Sequence, residues 1–323
     1  MGRVKGLAVL LFLLSGCNEH QSTLAPFGAE VRDIRSMFVV LVTGALVILL
    51  FVAALYVRAV RAQEGRLSHE AGMRMVLWVG AIGPALVLTL LLLYALPAMR
   101  PRGASATDLV IAVRGEQFWW RVAYHGNGDG QPLVSANEVR IPVGRTVAFE
   151  LTASDVIHSF WVPGLAGKMD MIPGRTTRLV VKAEKAGRYR GVCAEFCGLS
   201  HALMAFDVVA MESAAFDAWH ERSRKPAEIA EREGRGAQAF DRHGCGACHA
   251  IRGTPHRGVI GPDLSRFGER ASLGAGTLAP TRDAIAAFIR TPQDSKPGAR
   301  MPDFAQLSTA DALAIADYLK ALR

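Results

Sequence analysis

Residues 193–204 read C-A-E-F-C-G-L-S-H-A-L-M, from Cys193 to Met204, and a lone His158 stands upstream in D-V-I-H-S-F, residues 155–160. Two thiols, an imidazole and a thioether in so short a stretch are soft donors. Such a set selects copper over hard, oxygen-seeking cations, and a weak Met ligand is typical of copper electron-transfer sites. A mononuclear site of that kind uses one Cys. With Cys193 and Cys197 there is one thiolate too many, which suits two metal ions bridged by both sulfurs. His158 and His201 would then cap the two ions, Met204 would take a weak position and the carbonyl of Glu195 the last.

Two plainer readings compete. Cys193 and Cys197 in an exported chain also suit a disulfide, and with both histidines they suit a Cys2His2 zinc site. The regular C-x3-C-x3-H-x2-M run favours metal over a disulfide, and Met204 weighs against zinc because a thioether is a poor zinc ligand. In order and spacing these residues resemble the binuclear copper centre of subunit II of haem-copper oxidases, a pattern that includes the upstream His and the Glu between the cysteines. The resemblance implies two copper ions held by His158, Cys193, Glu195, Cys197, His201 and Met204. It also implies a magnesium ion, at the interface with the catalytic subunit, taken by the Glu195 side chain.

The rest of the chain agrees. Its 323 residues leave room for two or three domains. A hydrophobic share of 50% is high for a soluble protein and points to membrane segments. The net charge of +8 is scattered, with no basic stripe interleaved with aromatics, so a nucleic-acid partner is not expected.

Arg3 and Lys5 precede the apolar run Leu7 to Leu14, and L-S-G-C closes at Cys17. A charged start, a short apolar run and small residues before the cut describe a secretory signal. The ending resembles a bacterial lipoprotein box, giving a signal peptide over 1–16, lipidation at Cys17 and an external linker over 17–36. Met37 to Val57 and Met75 to Leu96 are each long enough to cross a bilayer, so residues 37–97 read as a two-span membrane helical hairpin. With Cys17 outside, the connector is cytoplasmic, and Arg58, Arg61, Arg66 and Arg74 outnumber Glu64 and Glu70 there. That satisfies the positive-inside rule. Everything after Leu96 is expected on the periplasmic side of a bacterial inner membrane. The resemblance makes Glu70 the nearest candidate for the start of a proton path, although its spacing to Trp78 and Pro84 departs from the family pattern.

Residues 108–211 carry short β-branched and aromatic runs between turn signals, which predicts an antiparallel all-β sandwich with both metal segments between strands. The resemblance supplies its specific form, a cupredoxin-like Greek-key domain. Phe118-Trp119-Trp120 resembles the family's aromatic cluster through which electrons reach the copper, and K-M-D-M-I-P-G-R, Lys168 to Arg175, resembles the segment that faces the catalytic subunit.

Residues 212–235, charged and holding Pro226, read as a connector. In 236–323, Cys245-Gly246-Ala247-Cys248-His249 is the attachment signature of a covalent haem c, the thiols adding to vinyl groups and the His binding iron. Gly261-Pro262-Asp263-Leu264 and Met301-Pro302 complete a resemblance to an all-α class I cytochrome c, with Met301 the second axial ligand. His243 and His256 are its rivals. Helical periodicity over Arg282 to Arg290 and Thr309 to Leu322 fits terminal helices.

Together the resemblances imply subunit II of a proton-pumping cytochrome c oxidase with a fused cytochrome c domain, the caa3-type arrangement. Partners would be subunit I, which holds the oxygen site, subunit III, an external electron donor and membrane lipid. The small subunit of a copper-containing nitric oxide reductase and a free-standing membrane-anchored electron carrier are the alternatives.

Overall fold

The structure is a computed structural model and describes residues 21–63, 65, 67–99, 109–125, 132–227 and 234–323. Cys17, the 1–16 signal and the segment 101–107 lie outside the described residues.

The chain divides into a helical unit and a larger unit, which are taken separately. In the first, α1 (Ala29–Val60) and a second helical run, α2 (His69–Met75) and α3 (Gly83–Ala95) joined by π-helical turns over Val76–Ile82, form the two apolar stretches. Ser68 caps α2 by accepting the Ala71 N–H at 3.3 Å. Pro84, which lacks an N–H and crowds the preceding turn, follows the widened π segment, where Gly83 N–H reaches back to Trp78 O. Both helical runs are long and apolar enough to span a membrane. Leu46, Leu50, Leu88 and Leu93 are among the many large side chains that face outward along them. Such a surface is stable only against hydrocarbon. This is a membrane-anchored protein.

The larger unit contains two sheets. The first has strand order β3-β2-β1-β5-β8, from β1 (Leu109–Glu116), β2 (Trp119–Tyr124), β3 (Leu133–Ala136), β5 (Val147–Ala153) and β8 (Thr177–Val181). The second has order β4-β10-β9-β6-β7, from β4 (Glu138–Pro142), β6 (His158–Trp161), β7 (Met169–Met171), β9 (Gly187–Cys193) and β10 (Ala205–Met211). Along β2 the side chains alternate, so Trp120, Val122 and Tyr124 enter the space between the sheets. There they join Phe149, Phe160, Tyr189 and Phe206.

Two details correct the sequence reading. The sandwich is not purely antiparallel: β1 runs parallel to β5, and β10 parallel to β4. The chain changes sheet between β3 and β4 at Asn137, which holds φ at 59°, so sequential strands cannot all pair as hairpins. Nor are residues 21–36 a free linker. Phe27 is buried in the sandwich core, Gly28 bridges Ala183, and Glu184 N–H donates to Phe27 O at 2.8 Å. Residues from Ala29 onward are already helical.

After the sandwich, α4 (Ser213–Arg224) lays Phe216 and Trp219 into the sandwich core and stops ahead of Pro226. The C-terminal part is helical: α5 (Arg235–Arg242), α6 (Arg282–Arg290), the short α7 (Pro292–Ser295) and α8 (Thr309–Ala321). Thr281 and Ser308 cap α6 and α8 by accepting the N–H groups of Ala284 and Asp311. Phe240, Ile251, Ile285, Ile315 and Leu319 form a second core.

Candidate copper and haem sites

The expected copper ligands converge at the mouth of the second sheet. Two of them lie on strands rather than in loops, which corrects the sequence reading: His158 opens β6 and Cys193 closes β9. The register that sets Phe160 opposite Cys193 brings both to one end, and Cys193 N–H donates to Met204 O at 3.0 Å, drawing in the start of β10. His201 sits in a 3-10 turn between them.

Cys193 Sγ is 3.9 Å from Cys197 Sγ, 3.8 Å from His158 Nδ1 and 3.2 Å from Glu195 O. Cys197 Sγ is 3.6 Å from His201 Nδ1 and 3.8 Å from Met204 Sδ. Both thiols are free, so the disulfide reading fails. Donors at these separations can share an ion held at about 2.0–2.3 Å from each. The shape is informative too. His158 adjoins one thiol while His201 and Met204 adjoin the other, so the six donors form a strip with the sulfurs in the middle rather than one tetrahedron. The residues fit copper, and the strip offers each sulfur to both ends.

Electrostatics prepare the donors. Asp155 Oδ1 lies 2.8 Å from His158 Nε2. A carboxylate only accepts, so Nε2 carries a proton, and Nδ1 is the nitrogen that faces the thiols. Burial alone would depress His158, but its hydrogen bonds to Cys193 and Asp155 raise it above the ordinary histidine value. Burial would lift Asp155, yet the N–H of Gln117, at 2.7 Å, and His158 hold it below the usual carboxylate value. The thiols titrate as a pair. The hydrogen bond with Cys197 holds Cys193 far below the thiol range despite burial, with help from His158. The same bond, together with burial, pushes Cys197 up. The first thiolate of the pair therefore forms more readily than the second, and metal binding displaces the protons that remain. The Glu195 side chain turns outward, 46% exposed, with Lys168 Nζ at 3.9 Å.

The haem motif borders a mostly apolar cavity of about 220 Å³ lined by Cys245, Cys248, His249 and Met301 among Phe240, Ile285 and Leu319. His249 Nδ1–H donates to Pro262 O at 2.8 Å, which leaves Nε2 bare for iron. Burial lowers the His249 pKa, keeping the imidazole neutral. Gly261 permits this fit, since a Cβ there would lie 2.4 Å from the His249 ring. Burial pushes Cys245 up to about 11. Two thiols, a bare imidazole nitrogen and a thioether around an apolar hollow fit haem c. His256 is engaged by Asp241 at 2.9 Å, and neither it nor His243 lines the cavity.

The aromatic run is split by the structure. Trp120 is fully buried, with ring centroids 6.1 Å from His158 and 4.9 Å from Phe206, whereas Phe118 and Trp119 line the haem cavity. Glu70 lies in the first turn of α2, exposed. Sequence reasoning missed Gln117, whose Nε2–H donates to Cys197 O at 2.6 Å, as well as Asp155, Lys296 and Arg300. Asp155 had a local signal, three residues ahead of His158. The others had none.

The family described as cytochrome c oxidase subunit II, periplasmic domain, matches residues 124–211, and cytochrome c matches residues 234–323. Cytochrome c oxidase subunit 2 of Bacillus subtilis is 31% identical over 348 residues, covering 98% of this chain and 96% of that protein. The same subunit of Alkalihalophilus pseudofirmus is 42% identical over 217 residues, 66% of this chain and 61% of that protein. Among solved structures, the periplasmic domain of subunit II of cytochrome oxidase of Bradyrhizobium japonicum is 36% identical, with a TM-score of 0.34, over 39% of this chain and 97% of that one. With both redox sites laid out and a relative matched almost end to end, the chain belongs to the cytochrome c oxidase subunit 2 family.

Proposed function

We propose that the chain is the electron-receiving subunit of a haem-copper oxidase, passing electrons from an external donor to the catalytic subunit that reduces oxygen to water. The observation that carries this is the convergence of five soft and borderline donors with the Glu195 carbonyl at one sheet end, in one compact unit with an apolar hollow lined by Cys245, Cys248, His249 and Met301. Copper and haem, when bound, supply one-electron chemistry. Cys193 and Cys197 would bridge two copper ions, His158 and His201 would cap them, and Met204 and Glu195 O would complete the shell. Cys245 and Cys248 would hold the haem covalently, with His249 and Met301 on iron, a ligand pair that raises its potential.

The protein's own work is positioning. Asp155 fixes the His158 tautomer, Pro262 O fixes that of His249, and the close-packed aromatics behind His158 keep water away from the thiolates. Because the sandwich residues Gln117, Phe118 and Trp119 form part of the haem cavity wall, the donor is already docked. A bimolecular encounter is replaced by a high effective concentration. Phe118 and Trp119, which line the haem cavity, would carry electrons from haem toward copper, with Trp120 packed beside His158. Phe196 and Leu199, 77% and 82% exposed beside His201, would meet subunit I together with residues 168–175, where the free carboxylate of Glu195 would take magnesium. Subunit III, lipidation at Cys17 and the periplasmic side for both redox centres complete the reading. Glu70 as a proton-path residue has no structural support beyond its place at a helix start.

The test is an EPR spectrum and elemental analysis of the full chain in detergent, with a covalent-haem stain. The expected result is two coppers per chain sharing one unpaired spin, plus one covalent haem. Zinc, or a single copper, would overturn the copper assignment.

A further inference from the structure

The loop that ends in the haem ligand Met301 lies across the outer shell of the copper ligands. Three hydrogen bonds cross. Ser200 Oγ–H, next to His201, donates to Pro297 O at 2.6 Å. Lys296, buried to 4% exposure, donates from Nζ to Leu203 O at 2.8 Å and to Gly274 O at 3.0 Å, and Leu203 adjoins Met204. Arg300 Nη2–H donates to Asp155 Oδ2 at 3.1 Å, and Asp155 is the partner of His158. Gly298, at φ 78°, lets the loop lie close, because a Cβ there would meet the Phe118 ring at 3.0 Å and Leu199 at 3.4 Å. One loop thus bears a haem ligand and touches the support of three copper ligands.

The Lys296 ammonium acts on Cys197 through space, whereas Arg300 pairs directly with the hydrogen-bond partner of a ligand. A carboxylate accepting an imidazole N–H makes that imidazole a stronger donor, which favours the oxidised metal. A guanidinium on the same carboxylate draws its charge away. We propose that Arg300 is a positioning residue that couples the haem-ligand loop to the copper centre, acting through Asp155 and His158 to raise the copper midpoint potential when the two domains are docked. This rests on the functional reading above. The electron exchange between the centres breaks no bond and moves no proton, so its equilibrium constant reports the shift. Linkage between the two centres is reciprocal: copper binding shifts the haem potential by the factor with which haem reduction changes copper affinity.

The experiment compares wild type, Arg300→Gln and Arg300→Lys as full chains in detergent, without the catalytic subunit. Copper and haem contents come first. The midpoint potentials of both centres follow by spectroelectrochemistry. The expected result is unchanged metal and haem content, with Arg300→Gln moving the exchange equilibrium toward reduced haem by about fivefold or more, the low end for coupled sites. Arg300→Lys, which keeps the charge, retains most of the wild-type value. An unchanged copper potential in Arg300→Gln overturns the proposal. So does an equal shift in both variants, or loss of copper from both, since Arg300 would then only support the fold. A wild type lacking two coppers overturns the functional reading itself and is recognised before any variant is compared.

Discussion

The two cysteine pairs face opposite demands, and the fold answers each with a different environment. Cys193 and Cys197 lie 3.9 Å apart among hydrogen-bonding neighbours, which hold the Cys193 pKa far below the thiol range. Cys245 lines an apolar hollow where burial pushes its thiol up to about 11. A cysteine binds a metal ion as its thiolate, which a low pKa favours, whereas burial favours the protonated thiol at Cys245. The histidines follow suit: His158 is raised by its partners, and His249 is lowered by burial. Protein atoms alone bring the copper donors together. At the haem site they leave a cavity, so that domain depends on its cofactor for packing as well as for chemistry.

The sharpest way to break this contrast is to remove the haem. Without haem the apolar residues around a hollow of about 220 Å³ lose their packing partner and face water. The double variant Cys245→Ser/Cys248→Ser is expected to lose hydrogen-exchange protection in α6 and α8 while the sandwich strands keep theirs. Protected amides in both helices of the haem-free chain would show that the hollow is self-supporting. Next in size, Cys197→Ser is expected to abolish the shared-spin copper signal and lower the copper content while leaving haem content and the sandwich fold intact. Retention of two coppers with unchanged hyperfine structure would remove Cys197 from the ligand set.

Tyr124→Phe asks whether the sandwich stands on its own packing and gives the smallest effect. The buried Tyr124 hydroxyl accepts the Arg140 N–H at 2.7 Å and lies 3.2 Å from Arg140 O, so its loss leaves a buried N–H unpaired at a cost of roughly 1–3 kcal/mol. Burial raises the Tyr124 pKa in the folded chain above the ordinary tyrosine value of 10.0. Below that value both states keep the proton and the stabilisation is complete. As the pH rises beyond it the unfolded chain ionises first, and stability falls. Chemical denaturation at several pH values should therefore show a gap between wild type and variant that is constant up to about pH 10 and narrows above it. A gap independent of pH throughout would mean that Tyr124 ionises alike in both states.

Much of both sites was legible because ligand chemistry is local. Cys193, Cys197, His201 and Met204 share one run, Cys245, Cys248 and His249 another, and His158 and Met301 stood out as isolated donors in recognisable surroundings. What stayed hidden was longer in range. That His158 and Cys193 end strands rather than occupy loops depends on the β6–β9 register. The parallel ladders depend on where the chain changes sheet, which Asn137 does not announce. Residues 17–36 read as an external linker, yet Phe27 is buried in the sandwich core and Gly28 bridges Ala183. Arg300 and Asp155 stand 145 positions apart, with no pattern joining them.

The sequence by itself pointed to copper and haem and to two helices apolar enough for a membrane, because donor identity, short spacing and unbroken hydrophobicity are properties of neighbours along the chain. Only the tertiary structure decided that the six copper donors form a strip, and that a haem-ligand loop closes over its outer shell. Those outcomes depend on strand register and on packing between distant segments, where each contact is stabilising only after every other one has been placed.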